Sequence, residues 1–222
     1  MIEIISPFIA VILSALIAYL FKHVITDQIK LLLSFSGAFL LAVTIFEFLP
    51  SVYTSQHPHI GIAIMSGIMV QITLEFVSKG AEHGHVHVKT QQHFPWLLAI
   101  GLCIHAFFEG LPLSETQNLL YAVVVHKIPI TIIITIFLFG SQISKRRTIL
   151  FLTLFAIMTP LGTLLYNDLS ILTTHKTIIH AFVIGILLHV STTILFESSK
   201  NHQFNASKLA VILLGIFIAY FI

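Results

Sequence analysis

Eight apolar runs, separated by short polar or charged stretches, dominate this chain: 4–21, 31–49, 60–77, 95–113, 119–139, 148–166, 177–196 and 209–222. A helix needs about 20 residues, and no fewer than about 17, to cross the hydrocarbon of a bilayer. Seven runs meet that length; the eighth is short and must end close to the membrane surface. Backbone amides in lipid find no water to bond, so open strands are excluded and every run reads as an α-helix. The chain is 57% hydrophobic and 9% charged, against about 25% charged in soluble domains. These numbers describe an all-α integral membrane protein of eight transmembrane helices and exclude a large soluble core.

The cations set the orientation. Lys22 and Lys30 fall between the first and second runs, Lys79 and Lys89 between the third and fourth. Lys145, Arg146 and Arg147 fall between the fifth and sixth, and Lys200 and Lys208 between the seventh and eighth. The loops of the other side hold Lys176 alone. Lys and Arg remain on the cytoplasmic side, which puts both termini outside. No basic residue precedes the first run and no small-residue cleavage site is evident, so it reads as a retained helix rather than a removed signal peptide. With no Pro/Gly/Ser-rich linker, residues 1–222 read as one transmembrane domain. Its longest connection, about 78–94, is placed in the cytoplasm. The cations form no stripe, so no nucleic-acid partner is expected. The single cysteine, Cys103, lies in an apolar run and reads as a buried thiol.

Two segments carry chemistry. His105-Ala106-Phe107-Phe108-Glu109-Gly110 and His126-Lys127-Ile128-Pro129 each lie inside an apolar run. Ionisable groups at that depth are costly and need a partner such as a metal ion. His105 and Glu109, four residues apart, share one helix face. Counting 1.5 Å per residue, His105 lies roughly 15 Å from the cytoplasmic end of the fourth helix, and His126 roughly 12 Å from the outer end of the fifth. Antiparallel neighbours thus bring both imidazoles to similar depth, where one ion can touch both. Two imidazoles and a carboxylate suit zinc, and iron, manganese, cobalt and nickel accept the same donors. A metal held there by helices points to a transporter. Pro112, Pro129 and Pro160 are expected to break the fourth, fifth and sixth helices and to free the carbonyls of Phe108 and Val125 beside Glu109 and His126.

Other polar groups form a second tier. Glu47, before Pro50 near the outer end of the second helix, reads either as an entrance ligand or third carboxylate, or as a snorkelling surface glutamate. His189, Thr193 and Glu197 share one side of the seventh helix, either lining an exit path or bonding between helices. His180 and Glu75, nearer the helix ends, read as structural. His83, His85 and His87 alternate in the cytoplasmic loop, with His93 beyond, and can bind metal weakly or simply be solvated.

On these residues the sequence resembles the ZIP (zinc/iron-regulated transporter-like) family of divalent metal transporters. His105-Ala-Phe-Phe-Glu109-Gly110 is similar to the family's fourth-helix motif, and His126-Lys127-Ile128-Pro129 to its fifth-helix His-Lys-x-Pro motif. Glu47-Phe48-Leu49-Pro50 and Thr159-Pro160-Leu161-Gly162 resemble the ends of the second helix and the Pro-Leu-Gly of the sixth. The resemblance implies movement of divalent metal toward the cytoplasm without ATP hydrolysis. It also implies an inverted repeat of three helices on either side of the fourth and fifth, and a homodimer. The expected location is the plasma membrane, the metal being cargo rather than cofactor. Where many relatives carry a polar residue and carboxylates that complete a two-metal centre, this chain has Ala106, Lys127 and Ile130. One hypothesis is a single-ion site, with the Lys127 ammonium paired to Glu109 in place of a second cation; the alternatives are lower affinity, a different choice of metal, or an inactive paralogue. Two other classes remain open. An intramembrane zinc hydrolase uses similar donors, but the chain has no His-Glu-x-x-His and no evident catalytic serine or second acid. A haem protein would take His105 and His189, or His126 and His180, as axial ligands.

Overall fold

The computed structural model describes residues 1–21, 29–78, 94–197 and 206–222. All regular secondary structure among them is helical. Among the described residues, six helices are long and apolar enough to cross a bilayer. They are α1 (Ile2–Phe21), a composite helix, α4 (Ile60–Ser78), α6 (Gln117–Gly140), α7 (Lys145–Asp168) and α9 (Lys176–Glu197). The composite helix joins α2 (Ile29–Val43), a π-helical turn (Thr44–Phe48) and α3 (Leu49–Tyr53). Two further apolar helices are shorter, α5 (Trp96–Gly110) and α10 (Ala206–Phe221), and α8 (Ser170–Thr174) is a single connecting turn.

Proline explains where the structure departs from the sequence-based expectations. The fourth run was expected to be helical from 95 to 113, yet α5 stops at Gly110, giving about 22 Å against the ~30 Å of a hydrocarbon core. Pro112 disfavours helical backbone in the residue before it. It therefore lies in the turn beyond the helix instead of kinking it. The Phe108 carbonyl, expected to be free, accepts the Leu111 amide at 3.1 Å. Pro129 and Pro160 do not break their helices, since α6 and α7 run continuously past them. Pro50 has the effect that was not foreseen. It follows a five-residue π-turn, closed by the Leu49 amide on the Thr44 carbonyl, and Glu47 lies on that widened turn. Such turns recur at functional positions in helices.

The helices pack in matched pairs. α4 lies against α9 as α10 lies against α2, and α1 lies against α6 as α5 lies against α7. Exchanging α1, α2 and α4 with α7, α9 and α10, and α5 with α6, maps these pairings onto one another. Lys208, on α10, donates to the Leu195 carbonyl at 3.0 Å, satisfying a carbonyl near the end of α9.

Two large apolar clusters and a small third one, Ala18, Ile29 and Ile132, fill the interior among the described residues. One large cluster gathers Leu113, Leu119, Val123 and Tyr166; the other gathers Leu102, Ile134, Phe151 and Phe155. Along α6 and α7, His126 and Lys127 and Thr159 fall between the two large clusters, so their depth is set by apolar packing above and below. The α5–α7 contact is close because it is glycine on glycine. A Cβ on Gly110 would overlap the Thr159 carbonyl oxygen, and one on Gly162 the Phe107 carbonyl oxygen. This approach brings the Thr159 hydroxyl to the backbone and side chains of α5.

Candidate metal site

The buried polar group at the middle of the bundle is assembled by four helices. α5 contributes His105 and Glu109 one turn apart, α6 contributes His126 and Lys127, α7 contributes Thr159, and α4 contributes Gln71. None of the six is more than 6% exposed. The Glu109 carboxylate is the hub. Its Oε1 forms an ion pair with the Lys127 ammonium, and the Thr159 hydroxyl reaches the same oxygen at 3.1 Å while lying 2.8 Å from the Ala106 carbonyl. Its Oε2 lies 3.6 Å from His105 Nε2 and accepts no hydrogen bond from any described residue.

Each partner has a physical reason to be where it is. Lys127 Nζ sits 4.7 Å from the centre of the Phe155 ring, so the ammonium rests between a carboxylate and an aromatic face. With the Gln71 amide placed so that its Oε1 faces His105 Nδ1 at 3.2 Å, the contact is a hydrogen bond when Nδ1 carries the proton. That tautomer leaves the Nε2 lone pair directed toward Glu109. Such an outer partner fixes ring orientation for a metal ligand. The His126 ring stands 6.4 Å from the His105 ring, centre to centre, at a steep angle.

Nitrogen and oxygen donors around tetrahedral zinc, each about 2.0–2.1 Å from the metal, stand about 3.3 Å apart. The 3.6 Å between His105 Nε2 and Glu109 Oε2 is close to that spacing. Among the described residues, no three or more His, Cys, Asp or Glu side chains are grouped so that they could hold a metal ion.

The structure thus brings together four residues singled out from the sequence: His105, Glu109, His126 and Lys127. It does not bring Glu47 or His189 to them. Glu47 is half-buried on the π-turn, and its side chain makes no hydrogen bond or ion pair with another described residue. His189 Nε2 lies 2.6 Å from Glu75 Oε2 on the neighbouring α4, and Thr193 Oγ1 lies 3.5 Å from the same ring nitrogen. Of the two readings of His189 from the sequence, exit path or bonding between helices, the contact with Glu75 is the second, and Glu75 is structural as expected. The side chain of Glu197, and the whole of His83, His85, His87 and His93, lie outside the described residues. Near the opposite end, His180 Nε2 stands 2.9 Å from the Tyr166 hydroxyl, which donates to Glu115 Oε1 at 3.0 Å. This chain of bonds ties α9 to α7 and to the α5–α6 connection.

Gln71 and Thr159 were missed in the sequence. Gln71 is an uncharged amide in an otherwise apolar run, one turn before Glu75. Weighing intramembrane amides alongside acids and imidazoles would have found it. Thr159 stood in a segment noted for its proline, and its hydroxyl carried no separate signal.

The sequence model of the ZIP Zinc transporter family matches residues 78–222, well over half of the chain. The chain belongs to that family. It is also similar to "Zinc transporter ZIP1" of Danio rerio, 29% identical over 142 residues. That match covers 59% of this chain and 46% of the relative, so it spans about half of the relative's length.

Proposed function

We propose that the protein carries divalent metal, with zinc as the preferred cargo, across the bilayer toward the cytoplasm through one ion site between α5 and α6. The observation that carries this reading is the Glu109 carboxylate. One of its oxygens is held by an ammonium, and the other, free of hydrogen bonds to the described residues, faces His105 Nε2 at 3.6 Å. An oxygen so placed in a dry interior needs a cation. His105 and Glu109 are the first donors, and His126 completes the set when its ring closes on the ion. The donor types and the family favour zinc.

Lys127 explains why one ion suffices. In the empty site its charge balances Glu109. An arriving dication displaces the ammonium from Oε1, and the ammonium returns as the ion departs. The metal is thus exchanged against a tethered cation, not held in a permanent cage.

The path has two ends. Glu47, on the π-turn at the outer end of the second span, receives the ion. The Glu75–His189 pair with Thr193, one to two turns toward the cytoplasmic end of α4 and α9, passes it on toward Glu197 and the loop bearing His83, His85 and His87. This direction follows from the cation asymmetry, with α5 and α10 completing eight spans and both termini outside the plasma membrane.

Liposomes containing the protein are expected to accumulate radioactive zinc faster than protein-free liposomes; equal rates would remove the reading. Crystals soaked in zinc or cadmium should show one anomalous-scattering peak between α5 and α6. Two adjacent peaks there would overturn the single-ion clause while leaving transport intact.

A further inference from the structure

We infer that the groove between the lower halves of α5 and α7 is a binding site for one anionic phospholipid. Residues at helical spacing face each other across it. Trp96, Ile100 and Ile104 come from α5, and Arg147, Leu150 and Leu154 from α7. The groove encloses a cavity volume of about 210 Å³, sized for part of an acyl chain rather than a folded partner. Both helices begin at the same end of the bundle, so Trp96 and Arg147 share one mouth while the aliphatic residues lie deeper. From Trp96 to Ile104 the groove runs about 12 Å at 1.5 Å per residue, most of one leaflet's ~15 Å of hydrocarbon.

Charge decides the occupant. Lys145, Arg146 and Arg147 are consecutive and exposed at the mouth. Basic pockets between membrane helices on the cytoplasmic side select anionic headgroups. Trp96 is 65% exposed and packs at 4.7 Å, ring centre to ring centre, on Phe94, an aromatic pair suited to the headgroup level. A larger apolar cavity of about 480 Å³ between α4 and α9 has no Lys or Arg in its lining, so grooves in this protein do not generally carry such a rim. A second copy of the chain is a poor occupant. Two-fold pairing through this face would set three cations against the same three. A seated lipid would also contact the turn before His105, bracing the helix that carries two metal donors.

The chain has a single tryptophan, and it lines the groove. Trp96 fluorescence in phosphatidylcholine vesicles containing a fixed fraction of brominated phosphatidylglycerol or brominated phosphatidylcholine measures the competition directly. The anionic lipid is expected to quench preferentially, and Arg147→Gln to reduce that preference by about fivefold, the effect of one basic residue near an anionic surface. Arg147 is exposed, so its replacement leaves the core intact. Equal quenching by the two lipids in the wild type would overturn the inference. So would an undiminished preference after replacing Lys145, Arg146 and Arg147 together by Gln. Quenching by neither lipid would mean that protein covers the groove, and would also overturn it.

Discussion

His105→Ala and Glu109→Ala proteins in liposomes are expected to take up zinc at no more than about a hundredth of the wild-type rate. Removing even an outer partner of a metal ligand typically lowers affinity or activity about 10–100-fold, and these two residues are proposed as the ligands themselves. The geometry makes the losses distinct. His105→Ala removes the nitrogen aimed at Glu109 Oε2 and leaves Gln71, 0% exposed, without its 3.2 Å contact to the ring. Glu109→Ala removes both carboxylate oxygens and strands the Lys127 ammonium. Circular dichroism and gel-filtration of each variant separate lost transport from lost folding, and His105→Gln, which keeps a polar side chain in a comparable volume, provides a second test. Equal uptake by folded variants and wild type would place the metal path elsewhere in the bundle.

How much of this was legible in the sequence depends on what the residues had to signal. The apolar runs announced nearly every long helix, because a bilayer leaves a chain few ways to satisfy its amides. His105, Glu109, His126 and Lys127 were legible for the same reason. An ionisable group is conspicuous among isoleucines, and helical rise alone placed the two imidazoles at similar depth. Pro112 was misjudged because a proline in an apolar run reads equally as a kink or a stop. The neighbouring backbone decides, and here the chain turns. The π-turn before Pro50 was invisible, since nothing in Thr44–Phe48 distinguishes a five-residue repeat from a four-residue one. Gln71 and Glu75 belong to the third span, and their partners His105 and His189 lie on other helices. Pairings across that separation follow from how helices stack, which periodicity along one helix does not encode. The glycine contact of α5 with α7 is likewise a property of two surfaces together.

Lys127→Met should destabilise the protein by about 3–5 kcal/mol, the cost of leaving one buried charge uncompensated. Lys127 and Glu109 are 2% and 1% exposed, so water does not rescue the stranded carboxylate. For a chain of this size that is a fall of roughly 10 °C in the thermal midpoint. The informative variant is the double one. In Lys127→Met/Glu109→Gln the buried pair is replaced by neutral groups of similar volume, a change often neutral or stabilising in other proteins. Most of the lost midpoint is therefore expected to return, although uptake is not. A double variant no more stable than Lys127→Met would show that the two groups do not compensate each other. The exchange of ammonium for metal would then lose its basis. Recovery of stability without recovery of uptake would separate the two roles of Glu109. One is to balance a lysine that the fold requires when the site is empty. The other is to present an oxygen that a passing cation can take.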